Sequence, residues 1–173
     1  MYAVRLWSVR RARFLGGVYD LFERLLIATD PLLARIGYER LEPTATTLER
    51  AVKGLLFDCR MCGQCALGST GLSCPMNCPK SLRNGPCGGV RPDGRCEVEP
   101  GMRCVWVEAF EGSRRMSGGD AILAVQKPID HRLWGRSAWL GMLRGRRAGA
   151  AEAASKGARS TDAEAVIASR KAA

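Results

Sequence analysis

Histidine is almost missing from this chain, and its scarcity removes a class of metal site. The single His131 lies far downstream of the cysteines, which excludes most mixed Cys/His zinc-finger layouts. Length is also short: 173 residues allow one ordinary domain, and a (β/α)8 barrel of roughly 250 residues does not fit. No uninterrupted apolar run approaches the ~20 residues of a membrane helix. The opening MYAVRLWSVRRARFLGGVYDLFERLLIATDP places basic residues before apolar ones. Asp20, Glu23 and Arg24 interrupt that stretch and no small-residue cleavage site follows, so it does not read as a signal peptide. A cytoplasmic protein with no membrane span is expected, and in a reducing compartment dense cysteine argues for metal over disulfides. Large hydrophobes are scarce beyond residue 148, and no useful internal repeat is present.

What is present begins with charge. The formal charge of +10 invites a nucleic-acid reading, but the arginines are scattered: Arg5, Arg10, Arg11 and Arg13 at one end, Arg144, Arg146 and Arg147 near the other. Scattered arginine suits a solvated surface or a docking surface for an acidic protein partner, and no nucleic acid is expected.

Leu15, Tyr19, Phe22 and Leu26 recur at helical spacing, widened by Val18 and Leu25. They predict an amphipathic helix over about residues 11–28, ending before Pro31. Packing on the subunit or a partner is favoured for this face over a membrane surface. A short second helix is expected near Leu32 to Ile36, stopped by Gly37. After Pro43, Thr46 and Glu49 have capping-box spacing, and Leu48, Val52, Leu55 and Leu56 form a stripe. That helix delivers the chain to Cys59. VRPDGRCEV reads as a small hairpin turning at Pro92-Asp93-Gly94 and carrying Cys96, while CVWVEAF fits a strand or a helix start. Past Leu143 the Ala-rich, polar chain is expected to be disordered or weakly helical.

The cysteines carry the chemistry. Cys59, Cys62 and Cys65 are separated by two residues each; Cys74, Cys78, Cys87, Cys96 and Cys104 follow. Eight thiols make two sets of four, suited to tetrahedral zinc or to [4Fe-4S] clusters. Zinc sites usually present two Cys pairs across a spacer, as Cys62/Cys65 with Cys74/Cys78 would. A cluster commonly takes a close triple and a remote Cys-Pro, as Cys59/Cys62/Cys65 with Cys74-Pro75 or Cys78-Pro79 would. The spacing favours at least one cluster, leaves zinc open, and does not settle the pairing. Lys80 and Arg83 are placed to offset the charge of such a site, or equally belong to a solvated loop.

The stretch CRMCGQCALGSTGLSCPMNCPKSLRNGPCGGVRPDGRCEVEPGMRCVWVEAF, with QKPIDHRLWGRSAWL downstream, resembles the cysteine-rich C-terminal domain family of methylenetetrahydrofolate reductase, in particular its small MetV-type accessory subunits. The resemblance implies a subunit that is not catalytic alone and docks beside a separate flavin-containing barrel that binds folate. It implies metal sites at Cys59, Cys62, Cys65, Cys74, Cys78, Cys87, Cys96 and Cys104, holding one or two [4Fe-4S] clusters, or zinc at one or both. Electrons from ferredoxin or another redox donor would pass to the partner's flavin in one-carbon metabolism. Trp106, Trp134 and Trp139 would suit docking, or equally packing within the subunit. A redox-silent zinc scaffold of the reductase is the alternative, and a zinc-dependent nucleic-acid module a more distant one.

The expected fold is small and α+β: N-terminal helices, then a metal-stabilised, mostly irregular module with a short hairpin. The expected segments are a helical region over 1–57, a cysteine-rich domain over 58–110, an extended docking segment over 111–143 and a disordered tail over 144–173.

Overall fold

The computed structural model describes residues 2–153. Over them the chain is 59% helical and 3% strand, with no sheet. The α+β expectation is therefore corrected to a helical fold. Its five helices are α1 (Tyr2–Arg10), α2 (Ala12–Ile36), α3 (Tyr38–Phe57) and α4 (Val105–Ser113), then α5 over 138–153. Part of the expected tail, 154–173, lies outside the described residues.

The hairpin fails for a local reason. Gly94 turns the chain at positive φ, its N–H bonding Arg91 O at 2.8 Å, but a ladder needs the same two arms to keep pairing. Here Cys96 bridges Val90 while the adjacent Arg95 bridges Arg103. Neighbouring residues thus pair with different segments, and no strand develops. The ambiguous CVWVEAF is helical from Val105, with Cys104 as the N-cap residue. Helical spacing lets Val105, Trp106, Glu108 and Ala109 turn inward together.

Prolines do not end the helices where expected. Pro31 lies inside α2 and Pro43 inside α3. An interior proline forfeits one backbone hydrogen bond, and near Pro31 side chains brace the turn. Asp30 accepts from Tyr38 Oη of α3 and, at 2.7 Å, from Arg147 Nε of α5. The break comes instead at Gly37, whose φ of 99° suits glycine and whose N–H closes onto Leu33 O.

α1 packs on α3, with Ser8 Oγ donating to Leu56 O at 2.8 Å. α5 is held by ionic contacts to α2 and α3. Ser137 caps it, its Oγ accepting from Leu140 N at 3.3 Å. Glu42 accepts from Ser137 N at 2.6 Å and from Arg144 at 2.5 Å. Two small cores result: Ala12, Phe57, Leu67, Leu72 and Cys74 in one, Cys104, Trp106 and Ala109 in the other. They meet where Gly71 lies backbone-on-backbone against Gly112 of α4; a Cβ on Gly112 would come within 2.2 Å of Gly71 O. Beside this contact, Ser73 Oγ donates to Val105 O at 3.1 Å.

Burial works to raise the pKa of Glu42, but the Ser137 amide and the Arg144 guanidinium outweigh it and hold the carboxyl below its ordinary 4.5. A depressed carboxyl contributes stability that is fully present above its unfolded pKa and is lost as pH falls through the lower folded value. Thermal melts taken from about pH 6 down to about pH 3 should show Glu42→Gln less stable than wild type at the upper end, with the gap closing at the lower end.

Candidate metal centre

α3 ends by turning sharply into the first thiols. Asp58 adopts a left-handed conformation (φ 51°, ψ 48°), its N–H returning to Gly54 O. Met61 and Gly63 follow at φ 50° and 74°. These reversals wind the chain so that Cys59, Cys62 and Cys65 line one cavity. Cys74, which precedes the 3-10 turn Pro75–Asn77, lines it too. Asn77 ties this turn to the end of α3 by donating to Phe57 O at 3.0 Å.

A strap formed by residues 126–136 closes over the loop. Gln64 donates to Pro128 O (3.3 Å) and accepts from Asp130 N (2.7 Å), while Asn84 exchanges two hydrogen bonds with the Gln126 backbone. Gly63 is pressed beneath Leu133, where a Cβ would come within 2.2 Å of the Leu133 carbonyl oxygen.

The sulfurs have polar company. Met61 N–H donates to Cys59 Sγ at 3.4 Å, Arg83 reaches Cys62 Sγ at 3.9 Å, and Tyr19 Oη reaches Cys65 Sγ at 4.0 Å. Burial pushes the thiol of Cys59 up to about 11 and that of Cys74 up to about 12, and the neighbouring Cys62 and Cys65 push both the same way. Without a cation these two stay protonated at neutral pH, so capturing a metal releases protons.

The other four cysteines lie apart from this cavity. Cys104 is buried at the start of α4 with Trp106, and Cys87 packs against that cluster. Cys87 Sγ accepts from Gly89 N at 3.4 Å. Lys80, paired with Glu97, feels the charge of both Cys87 and Cys96. Cys78 is buried at the end of the 3-10 turn that follows Cys74. All eight thiols are free of disulfides. Among the described residues, no three Cys, His, Asp or Glu side chains form a single-ion site. His131 sits on an exposed turn, stacked on Trp134 with ring centroids 6.0 Å apart.

The sequence reading missed the charges behind the cavity. Glu49 and Lys53 also line it, both 1% exposed, with Nζ 2.7 Å from Oε1. Glu49 Oε2 accepts from Ser137 Oγ at 2.7 Å and Trp139 N at 3.4 Å. Lys53 lies 5.0 Å from the Trp139 ring centroid and 5.9 Å from that of Tyr19. Burial alone would lower the pKa of Lys53, yet Cys65 and Glu49 beside it hold it above its ordinary value. Glu49 therefore caps nothing. The expected α3 stripe is largely reversed: Leu48, Val52 and Leu55 are exposed and Leu56 alone of the four packs against the core, while Glu49, Lys53 and Phe57 face inward. The signal available was the i, i+4, i+8 line of these three residues, aimed at Cys59. Trp106 and Trp139 serve packing rather than docking: Trp106 is buried, and Trp139 lies 4.7 Å from the ring of Phe22. Trp134 is the half-exposed one.

Four thiols, amide N–H groups directed at sulfur, and two nearby cations fit a soft, anionic metal centre. Glu49 is already engaged by Lys53, Ser137 and Trp139, which leaves the donor set all-sulfur. A protein-family model described as methylene-tetrahydrofolate reductase C terminal matches residues 38–132. That span takes in all eight cysteines and the first part of the strap. No curated protein and no solved structure matches.

Removing one partner of a buried ion pair leaves the other uncompensated, at a cost of about 3–5 kcal/mol. Lys53→Met should lose stability on that scale in urea unfolding, and Glu49→Leu combined with Lys53→Met should recover part of it.

Proposed function

Because the chain belongs to the methylene-tetrahydrofolate reductase C-terminal family, matched over residues 38–132, we propose that it is the metal-bearing accessory module of such a reductase. In this reading Cys59, Cys62, Cys65 and Cys74 hold an iron–sulfur cluster that serves the flavin of a separate barrel subunit. The observation that carries the reading is the convergence of these four thiols on one cavity. Four thiols facing one space could supply the four corners of a cubane cluster. A bound cluster supplies one-electron transfer, with ferredoxin or another redox protein as donor, and the folate chemistry belongs to the partner.

The chain's own residues do the rest. Cys62 and Cys74, buried, anchor the inner side of the site, Cys59 is partly buried, and Cys65 is exposed and marks the side nearest solvent. Arg83 spans Gln64 O (2.6 Å), Lys127 O (2.9 Å) and Cys62, so it joins loop to strap and brings positive charge to the sulfur. Lys53 does the same from the interior. Both cations offset the negative charge that four thiolates accumulate. The remaining Cys78, Cys87, Cys96 and Cys104 would be the donors for a second cluster or zinc, and Lys80 lies near Cys87 and Cys96.

Anaerobic purification with iron, acid-labile sulfide and zinc analysis tests this directly. Iron and sulfide with broad visible absorption are the expected result, with Cys59→Ser and Cys74→Ser each removing about one cluster's share of both. Zinc alone would replace electron transfer with a structural scaffold role.

A further inference from the structure

The outward face of α2 is apolar along most of its length. Phe14, Val18, Leu21, Leu25, Leu32 and Ile36 are each 44–68% exposed, while Leu15, Phe22 and Leu26 turn inward. The outward residues alternate by four and three as far as Leu32, with Ala28 in the longer gap, and Ile36 follows by a further four. At about 100° per residue they fall within a band roughly 80° wide, and at ~1.5 Å rise they run about 33 Å. Exposed Trp7 precedes Phe14 by a further seven residues. Single exposed hydrophobes are ordinary, but a continuous row is an interaction surface. Heptad spacing is the seam that another helix fits.

Charge identifies the kind of helix. Arg10, Arg13, Arg24 and Arg35 flank one edge of the row, all exposed and none in an ion pair among the described residues. Asp20 is the carboxylate nearest that edge. At its N-terminal end the row opens into a groove between Arg10, Arg11 and Arg13 and Phe14, Val18 and Leu21, Arg11 alone lying toward the opposite edge.

We propose that this face of α2 is the docking surface for the flavin-bearing reductase subunit, and that its occupant is an amphipathic helix of that subunit bearing carboxylates along one edge. The proposal rests on the reductase-accessory reading and adds the surface and the chemistry of its complement. Other occupants fit less well. Antiparallel pairing of two copies about the middle of the row would set Arg24 beside its own equivalent and Arg13 near Arg35, a like-charge match. The chain's own residues 154–173 carry Lys156, Arg159, Arg170 and Lys171 against Asp162 and Glu164, a basic balance. A membrane-surface helix has basic residues spread across its polar face, whereas these arginines keep mainly to one edge.

The test mixes the full-length, metal-loaded protein with the flavin-bearing reductase subunit of the same organism and reads affinity and stoichiometry at low and high salt. Wild type should form a complex that weakens with salt. Leu21→Glu/Leu25→Glu should weaken it about 30-fold or more, as loss of a central apolar anchor does. Arg24→Glu/Arg35→Glu should weaken it and remove most of the salt dependence, with helicity and metal content unchanged in both variants. Wild-type affinity in both variants overturns the α2 surface and leaves the accessory reading standing; no complex with wild type overturns both. Self-association, or binding to anionic vesicles, that the variants abolish while reductase binding persists also overturns the proposal.

Discussion

A lysine and a glutamate buried together beside four thiols are the constraint on which the arrangement turns. Taking both charges out of water is costly, and the cost is offset only if each finds complete partners. Lys53 meets Glu49 at 2.7 Å, two aromatic faces, and the Cys65 side of the cavity. Glu49 needs Ser137 and the Trp139 amide. Those partners come from α2, α5 and the cysteine loop. Satisfying one ion pair on α3 therefore fixes where the other three pieces must lie. Ser137 is tied in twice, capping α5 and bonding Glu49, which makes the start of α5 part of the cavity wall.

The aliphatic cores are small, and cysteine is a member of both. Thiols thus serve as packing atoms in both cores. The helices show the same economy from the other side: both α2 and α3 keep apolar rows outward. An α3 built on ordinary lines would bury Leu48, Val52 and Leu55. Here the inner position is held by polar residues that face the sulfurs, and the leucines are displaced to the surface. Among the described residues no helix is long and apolar enough to cross a membrane, so these rows are not spans.

Much of this was readable from residue order. Helical periodicity placed α2 and α3, and the close triple Cys59, Cys62, Cys65 does gather with Cys74 at the end of α3. The tertiary strap resists such reading, because Gln64 and Asn84 pair with residues more than forty positions away. Helix ends were misplaced at Pro31 and Pro43: both prolines lie inside helices, and near Pro31 bracing through Asp30 offsets the lost hydrogen bond. The buried face of α3 was misassigned because hydrophobicity was taken as the measure of burial, whereas a paired charge can be buried when thiols and aromatic rings surround it. The hairpin was expected from turn chemistry at Pro92-Asp93-Gly94; that turn exists, but turn residues do not dictate that the flanking arms remain partners.

The contact between Gly71 and Gly112 has a mechanical meaning. No side chain separates the loop leading to Cys74 from α4, whose first residue follows Cys104, and Ser73, the residue before Cys74, bonds the carbonyl of Val105, the residue after Cys104. Flexible side chains ordinarily absorb small shifts between packed elements; bare backbone against backbone has no such cushion. A displacement of the loop at Cys74 therefore bears directly on the start of α4 at Cys104, with no side chain between them at this contact to take it up.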